Sequence, residues 1–137
     1  MSLYDDDVFA WAEENAKALR ERSFNDVDWD NVAEEIDDVG KREANGLRSE
    51  LFQVLLYLLK ARYQPSRHHR SWDLWMDEHR ERVQLWLNEN PSLKPRVDEI
   101  MVVAYGLARM RAAGQTGIEL SVFPEECPFT RDEVLGG

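Results

Sequence analysis

The sequence predicts an all-α protein: a four-helix bundle-like domain with a long central helix and an extended C-terminal tail that ends in a short helix. Apolar residues recur with helical period between four polar interruptions, at residues 23–30, 63–71, 88–95 and 114–117. No stretch alternates apolar and polar residues as a strand would, and no internal repeat is visible. At 137 residues the chain has the usual size of one domain, so we expect a single helical domain over residues 1–137.

The first predicted helix covers residues 6–22, with Asp5 as its N-cap. Its apolar residues fall on one side of the helix: Val8, Trp11, Ala12, Ala16 and Leu19. Phe24 and Val27 are expected to hold the loop that follows.

The second predicted helix is the longest element. It begins between residues 29 and 31, with Asp28 or Asp30 as N-cap, and extends to residue 62. Its first half is apolar on one side, through Trp29, Val32, Ala33, Ile36 and Val39. In its second half apolar residues surround the axis, which predicts that this half is the buried centre: Leu51, Phe52, Val54, Leu55, Leu56, Leu58 and Leu59. Gly40 and Gly46 indicate a kink or a close helix contact.

Two further helices and the tail complete the predicted fold. The third helix begins at Ser71 and ends at Asn90, and the fourth runs from residue 93 or 95 to 113 and stops at Gly114. In the tail, Thr130 and Glu133 form a capping box ahead of a short last helix. The residues expected to be essentially buried, each costing about 2 to 5 kcal/mol on change to alanine, are Leu55, Leu58 and Trp75.

Charge limits the classes of partner. The chain has 17 basic and 27 acidic residues and a net charge of −10. Residues 1–50 hold fifteen acids and six bases, a net charge of −9. Because phosphates repel such a surface, nucleic-acid binding is not expected, whereas a basic protein partner would be attracted. The alternative is a solvated acidic surface that keeps a small protein soluble.

The sequence also favours a cytoplasmic location. Cys127 is the only cysteine, so no intramolecular disulfide can form. The first residues are acidic and lack the apolar run of a secretory signal. The longest apolar stretch, residues 54–59, is far shorter than the roughly 20 residues that a membrane-spanning helix requires. We therefore expect no membrane segment.

Several short strings occur together in the chain: WDNVAEEI at 29–36, LLK at 58–60, YQP at 63–65, NPSL at 90–93 and FPEECPF at 123–129. With these strings the chain resembles, over nearly its whole length, the bacterial family known as domain of unknown function twenty-nine. The resemblance implies an α-helical domain. It implies no catalytic residues, because the family has no established biochemical role.

Four polar residues point towards the predicted core and form a candidate buried network: Asn15, Glu43, Glu50 and His79. We expect Glu43 and His79 to lie on facing helices and to touch, directly or through one water, since unpaired burial of either would cost several kcal/mol. The network is either a structural one that fixes helix register or an internal acid/base or ligand site.

A metal site of the di-iron bundle type needs Glu-x-x-His motifs. Met76 stands three residues before His79, and Pro65 and Ser66 stand three before His68 and His69, so the motif is absent from the sequence. Phosphate loops, serine-nucleophile elbows and metalloprotease motifs are absent from it too. The sequence predicts no metal and no cofactor, and it favours a non-enzymatic protein.

Two charged clusters are candidate binding surfaces. The first is an acidic interaction face, either solvated or a partner site, formed by Glu34, Glu35, Asp37 and Asp38. The second is a basic connecting loop, which either holds an anion or faces solvent. Its basic residues are Lys60, Arg62, Arg67 and Arg70. Acidic neighbours should raise the pKa of Cys127 and make it a poor nucleophile.

These observations lead to two functional hypotheses. The favoured one is an acidic helical interaction protein that binds a basic protein partner through its N-terminal half. The alternative is a ligand- or metal-binding helical bundle, or an enzyme, built on Glu43 and His79.

Overall fold

A computed structural model describes residues 2–136. Its helices are α1 (Leu3–Asp6), α2 (Val8–Arg20), α3 (Trp29–Tyr63), α4 (Arg70–Glu89), α5 (Val97–Thr116) and α6 (Arg131–Leu135). Short 3-10 turns occupy Phe24–Asp26, Pro65–Arg67, Pro91–Arg96 and Leu120–Val122. No strand occurs within residues 2–136. The all-α prediction is confirmed, including the long central helix and the short helix at the end of the tail.

Close backbone contacts group the chain into two units, residues 1–42 and residues 43–137, and the division falls inside α3. The prediction of one domain over residues 1–137 stays a prediction.

The N-terminal unit begins with two helices where the sequence predicted one. Ser2 caps α1, and Asp7 caps α2 by accepting a hydrogen bond from the Ala10 N–H at 3.1 Å. The single helix over residues 6–22, with Asp5 as N-cap, is therefore wrong. The backbone of Asp7 is not helical (φ −155°, ψ 87°), and its carboxylate satisfies an N–H group of the following helix, so the helix is broken in two.

The interior of this unit is small and partly polar. Its buried residues are Trp11, Asn15, Ala18 and Val27. The Trp11 indole packs edge-on against the Tyr4 ring and donates a hydrogen bond to the Asp28 carboxylate at 2.8 Å. Asp28 also accepts from the Asn31 side chain at 2.8 Å and from the Asn31 backbone, which makes it the N-cap of α3. Val8 and Leu19, predicted on the inward side, are exposed.

Residues 43–137 contain a continuous hydrophobic core. Its fully buried side chains come from three helices and the tail: Leu47, Leu51, Val54, Leu55, Leu59, Val83, Val97, Ala104, Ala108, Ala112, Phe123 and Val134. Leu55 is buried as predicted, whereas Leu58 is half-buried. Trp75 is 46% exposed and lies beside the Tyr57 ring with centroids 5.6 Å apart, so its predicted burial is wrong.

Both glycines of α3 are helical, but only one has a packing role. A β-carbon built on Gly46 would collide with the Trp86 indole of α4, whereas one on Gly40 meets no atom within 4 Å. The predicted close contact thus occurs at Gly46. At the end of α5, the helix passes Gly114 and stops at Gly117, whose φ of 75° is the left-handed conformation that glycine adopts readily.

The tail packs along α5 and is fixed by hydrogen bonds to its backbone. The Tyr105 hydroxyl donates to the Pro124 carbonyl at 2.5 Å, and Arg109 donates to the Phe123 and Leu120 carbonyls, each at 3.1 Å. Burial is the main cause that raises the pKa of Tyr105 to about 12, and the Arg109 charge acts in the opposite direction. The predicted capping box of Thr130 and Glu133 begins α6.

Across residues 2–136, no helix is both long and apolar enough to cross a membrane.

Candidate functional site

The first half of α3 exposes several of the apolar side chains that the sequence aligns on one side of the helix. Trp29 is 53%, Ile36 67% and Val39 53% exposed. With about 100° of turn per residue, Trp29 and Val39 lie within about 60° of Ile36 around the helix. We call these three residues the N-terminal stripe. The predicted apolar side of α3 is thus largely exposed, and Trp29 lies beside the Phe24 ring.

The acidic residues show which side of α3 contacts α1. The Tyr4 hydroxyl donates a hydrogen bond to Glu35 at 2.6 Å, so the Glu35 side of α3 faces α1. Glu35 and Asp38 are half-buried on that side, while Glu34 and Asp37 are exposed. The hydrogen bond to Glu35, partial desolvation and the surrounding carboxylates raise the pKa of Tyr4 to about 12. The four residues of the predicted acidic face thus divide between an internal contact and the surface.

The polar network predicted in the core divides as well. His79 Nδ1 lies 2.5 Å from Glu50 Oε2, and both side chains are less than one-fifth exposed. Arg82 lies 3.9 Å from the other Glu50 oxygen. Glu43 instead accepts a hydrogen bond from the Asn90 amide at 3.2 Å. The direct Glu43–His79 contact is therefore not formed among the described residues.

The reason is position along the helix axis. Glu43 and Glu50 share a side of α3, but seven residues separate them by about 10 Å along it. His79 lies beside Glu50, whereas Asn90 lies beside Glu43. Asn15 satisfies its own amide in the N-terminal unit: it donates to the Trp11 carbonyl at 2.9 Å and accepts from the Asp28 N–H at 2.7 Å. The predicted network is thus three separate hydrogen-bonded sets.

The basic residues of the connecting loop do not share one contact. Arg62 lies over the Phe129 ring at 4.5 Å and 3.8 Å from Glu133 of α6. Lys60 lies near Tyr57, and burial together with the Arg111 charge lowers its pKa. Arg67 and Arg70 are exposed. Lys60 and Arg62 thus contact different aromatic rings, and the anion site stays a prediction.

Two further kinds of site concern clustered metal ligands and the Cys127 thiol. No three His, Cys, Asp or Glu side chains of residues 2–136 lie close enough together to hold a metal ion. The half-buried Cys127 thiol lies 3.6 Å from the Phe129 carbonyl, and burial raises its pKa. A protonated thiol is a weak nucleophile, so Cys127 has the character of a packing residue.

A groove between α3 and α5 was not predicted. One depression of about 510 Å³ is lined by Arg48, Ser49, Phe52, Leu107, Met110, Arg111 and Gly114. A second, of about 380 Å³, shares Arg48 and is lined further by Ala44, Asn45, Arg96, Glu99, Ile100 and Val103. The Arg111 guanidinium lies 5.7 Å from the Phe52 ring centre. We call the two depressions together the α3–α5 groove.

The sequence did contain a signal for this groove. Ile100, Val103, Leu107 and Met110 recur at helical spacing. Leu107 is exposed because Ala104 and Ala108 face the core instead. Alanines take several of the buried positions of α5 while Leu107 and Met110 are exposed, an arrangement that periodicity alone does not reveal.

Neither the curated proteins nor the solved structures that were compared with the chain give a match. One family model does match, over residues 3–137, and its description is Domain of unknown function DUF29. Since the match spans nearly the whole chain, the protein belongs to the DUF29 family.

Proposed function

We propose that this protein is a non-enzymatic, cytoplasmic interaction protein whose N-terminal unit binds a basic, partly apolar surface of a protein partner. The observation that carries the proposal is the exposure of Trp29, Ile36 and Val39 on one side of α3. An amphipathic helix whose apolar side is uncovered is a common recognition element, with anchors at helical spacing.

Charge gives this surface its preference for a basic partner. Residues 1–42 contain thirteen acids and five bases, a net charge of −8, while residues 43–137 carry −2. Asp37 is exposed and lies about 100° around the helix from Ile36, so it borders the stripe. Complementary charge speeds encounter and excludes wrong partners, whereas the apolar anchors supply most of the affinity. The same charge disfavours nucleic acid.

The alternative of an internal Glu/His ligand, metal or catalytic site has weaker support. Glu50 and His79 are hydrogen-bonded to each other, and Glu43 accepts a hydrogen bond from Asn90. Such closed pairs are typical of contacts that fix the register of neighbouring helices.

The test compares matched surface variants in partner capture. The Val39→Ser variant removes an anchor of the stripe, and Val102→Ser removes an exposed valine of α5 as its control. We expect the wild-type protein to retain a partner with a basic surface from its native host at low salt. The purified partner should bind Val39→Ser at least about tenfold more weakly, a loss of about 1.4 kcal/mol, and Val102→Ser with unchanged affinity.

Two outcomes would contradict the proposal. One is that the wild-type protein retains no partner at low salt. The other is that a captured partner binds both variants equally well, since the stripe would then make no contribution.

A further inference from the structure

The α3–α5 groove has an apolar pattern that matches the N-terminal stripe. On α5 the groove is lined by Ile100, Val103, Leu107 and Met110, at successive spacings of three, four and three residues. On α3 the stripe, together with half-buried Val32, has the same spacings at positions 29, 32, 36 and 39. Each series covers eleven residues, and its first and last members lie about 15 Å apart along the helix. Two helices with such series can pack side by side over this length.

The charges at the two surfaces are opposite. Arg48 borders both depressions of the groove, and Arg111 borders one of them. Neither arginine forms an ion pair with any of residues 2–136. At the other depression Arg96 is paired with Glu99 at 2.5 Å. The stripe lies in a unit of charge −8, with exposed Asp37 beside it. The free guanidinium groups of the groove therefore complement the acidic border of the stripe.

The shape of the groove favours a helix over a small ligand. Small-molecule sites are concave and enclose most of their ligand, about 70 to 90% of its surface. Here Leu107 and Met110 remain 47% and 65% exposed, so the groove is open along α5. A shallow apolar groove between two helices is the form that accepts an amphipathic helix.

We propose that residues 29–39 of α3 in one copy dock in the α3–α5 groove of a second copy. The inference rests on the proposed function, because it names the basic surface that the stripe binds. A second copy carries that surface at the same concentration as the stripe, and it matches the stripe in spacing and in sign of charge. When the two surfaces meet, the apolar side chains of both would be removed from water.

A complementation experiment tests the proposal without any assumption about symmetry. Ile36→Asp spoils the stripe and leaves the groove intact, whereas Met110→Asp spoils the groove and leaves the stripe intact. Both positions are exposed, so each variant should fold, which circular dichroism checks. Leu85→Asp, at an exposed position of α4, is the matched control.

Sedimentation equilibrium over a wide range of protein concentration gives the readout. At low salt the wild-type protein and Leu85→Asp should associate equally, and added salt should weaken both. Ile36→Asp alone and Met110→Asp alone should each associate at least about tenfold more weakly. An equimolar mixture of the two should associate more strongly than either alone, because one intact stripe then meets one intact groove.

A wild-type protein that stays monomeric at every concentration would overturn the inference, and so would a mixture that associates no better than its components. If that monomer still binds a host partner through Val39, the proposed function stands and only the identity of the partner is wrong. If Val39→Ser also changes no binding, both proposals fail.

Discussion

Gly46 of α3 lies directly against the indole of Trp86 on α4, so that a β-carbon at position 46 would come within 3 Å of three ring atoms. We predict that Gly46→Ala destabilises the protein. The change should gain up to about 1 kcal/mol of helix propensity, but displacing the indole or separating the helices costs more than this, typically about 1 to 3 kcal/mol. Urea unfolding followed by circular dichroism measures the net effect.

Gly40→Ala is the control for that experiment, because it makes the same change in the same helix with no atom within 4 Å of the new carbon. It should raise the free energy of unfolding by up to about 1 kcal/mol. Equal effects of the two substitutions would show that Gly46 and Trp86 are not in close contact.

Leu55 and Trp75 should differ sharply in their contribution to stability. Leu55 is fully buried, so Leu55→Ala should cost about 2 to 5 kcal/mol through lost burial and the cavity left behind. Trp75→Ala should cost much less, because 46% of the residue is exposed and its ring lies tilted beside that of Tyr57. Unfolding midpoints of the two variants decide the matter. A larger loss for Trp75→Ala would show that the core had been misplaced.

Glu50 should be worth more to stability than a surface carboxylate on the facing helix. Glu50→Ala leaves the half-buried His79 without its partner, which we expect to cost about 1 to 3 kcal/mol. Glu78 bonds Arg82 at 2.6 Å but is exposed, so Glu78→Ala should cost no more than about 0.5 kcal/mol. Thermal and urea unfolding of both variants provide the comparison, and similar losses would refute a special role for the Glu50–His79 pair.

The N-terminal unit should lose stability as the solution becomes acidic. Hydrogen bonds from the Asn31 and Trp11 side chains lower the pKa of Asp28. Since the folded-state pKa lies below the unfolded value of about 3.9, the stabilisation is complete above that value. It is lost as pH falls from about 3.9 through the folded-state pKa. Fluorescence of Trp11, isolated by changing the other tryptophans to phenylalanine, would follow the transition.

Asp28→Asn should remove this acid-dependent component, because the residue at position 28 would no longer titrate. Asp26→Asn is the control, since Asp26 is exposed and neighbours the same loop. An acid transition that is identical in the wild-type protein and Asp28→Asn would assign it to other carboxylates.

Much of the fold could be predicted because local signals decide helix ends. The predicted start of the long helix and the capping box of Thr130 and Glu133 match the structure, since both depend on residues within one turn. The break at Asp7 could not be located, because Asp5, Asp6 and Asp7 can each cap a helix and the sequence does not choose among them.

The candidate sites were less predictable because they depend on packing between elements. The helical pattern places Glu43 and Glu50 on the same side of α3. Which of them meets His79 depends on the position of α4 along the axis of α3, and the sequence does not give that position. In the same way, periodicity found the side of α3 that contains Ile36 and could not tell whether another helix covers it. Tyr4 bonds Glu35 on another side of the helix, through a contact that joins residues 31 positions apart.

The C-terminal tail has a consequence for synthesis of the protein. Phe123, Phe129 and Val134 complete the core of residues 43–137, and Arg80 bonds the Val134 carbonyl across 54 positions. A ribosome adding about 5 to 20 residues per second needs about 1 to 3 s to make residues 120–135. For that time the nascent helices α3 to α5 lack the side chains that close their core. The newborn chain must therefore pass through a stage with exposed apolar surface, in which chaperones or aggregation compete with folding.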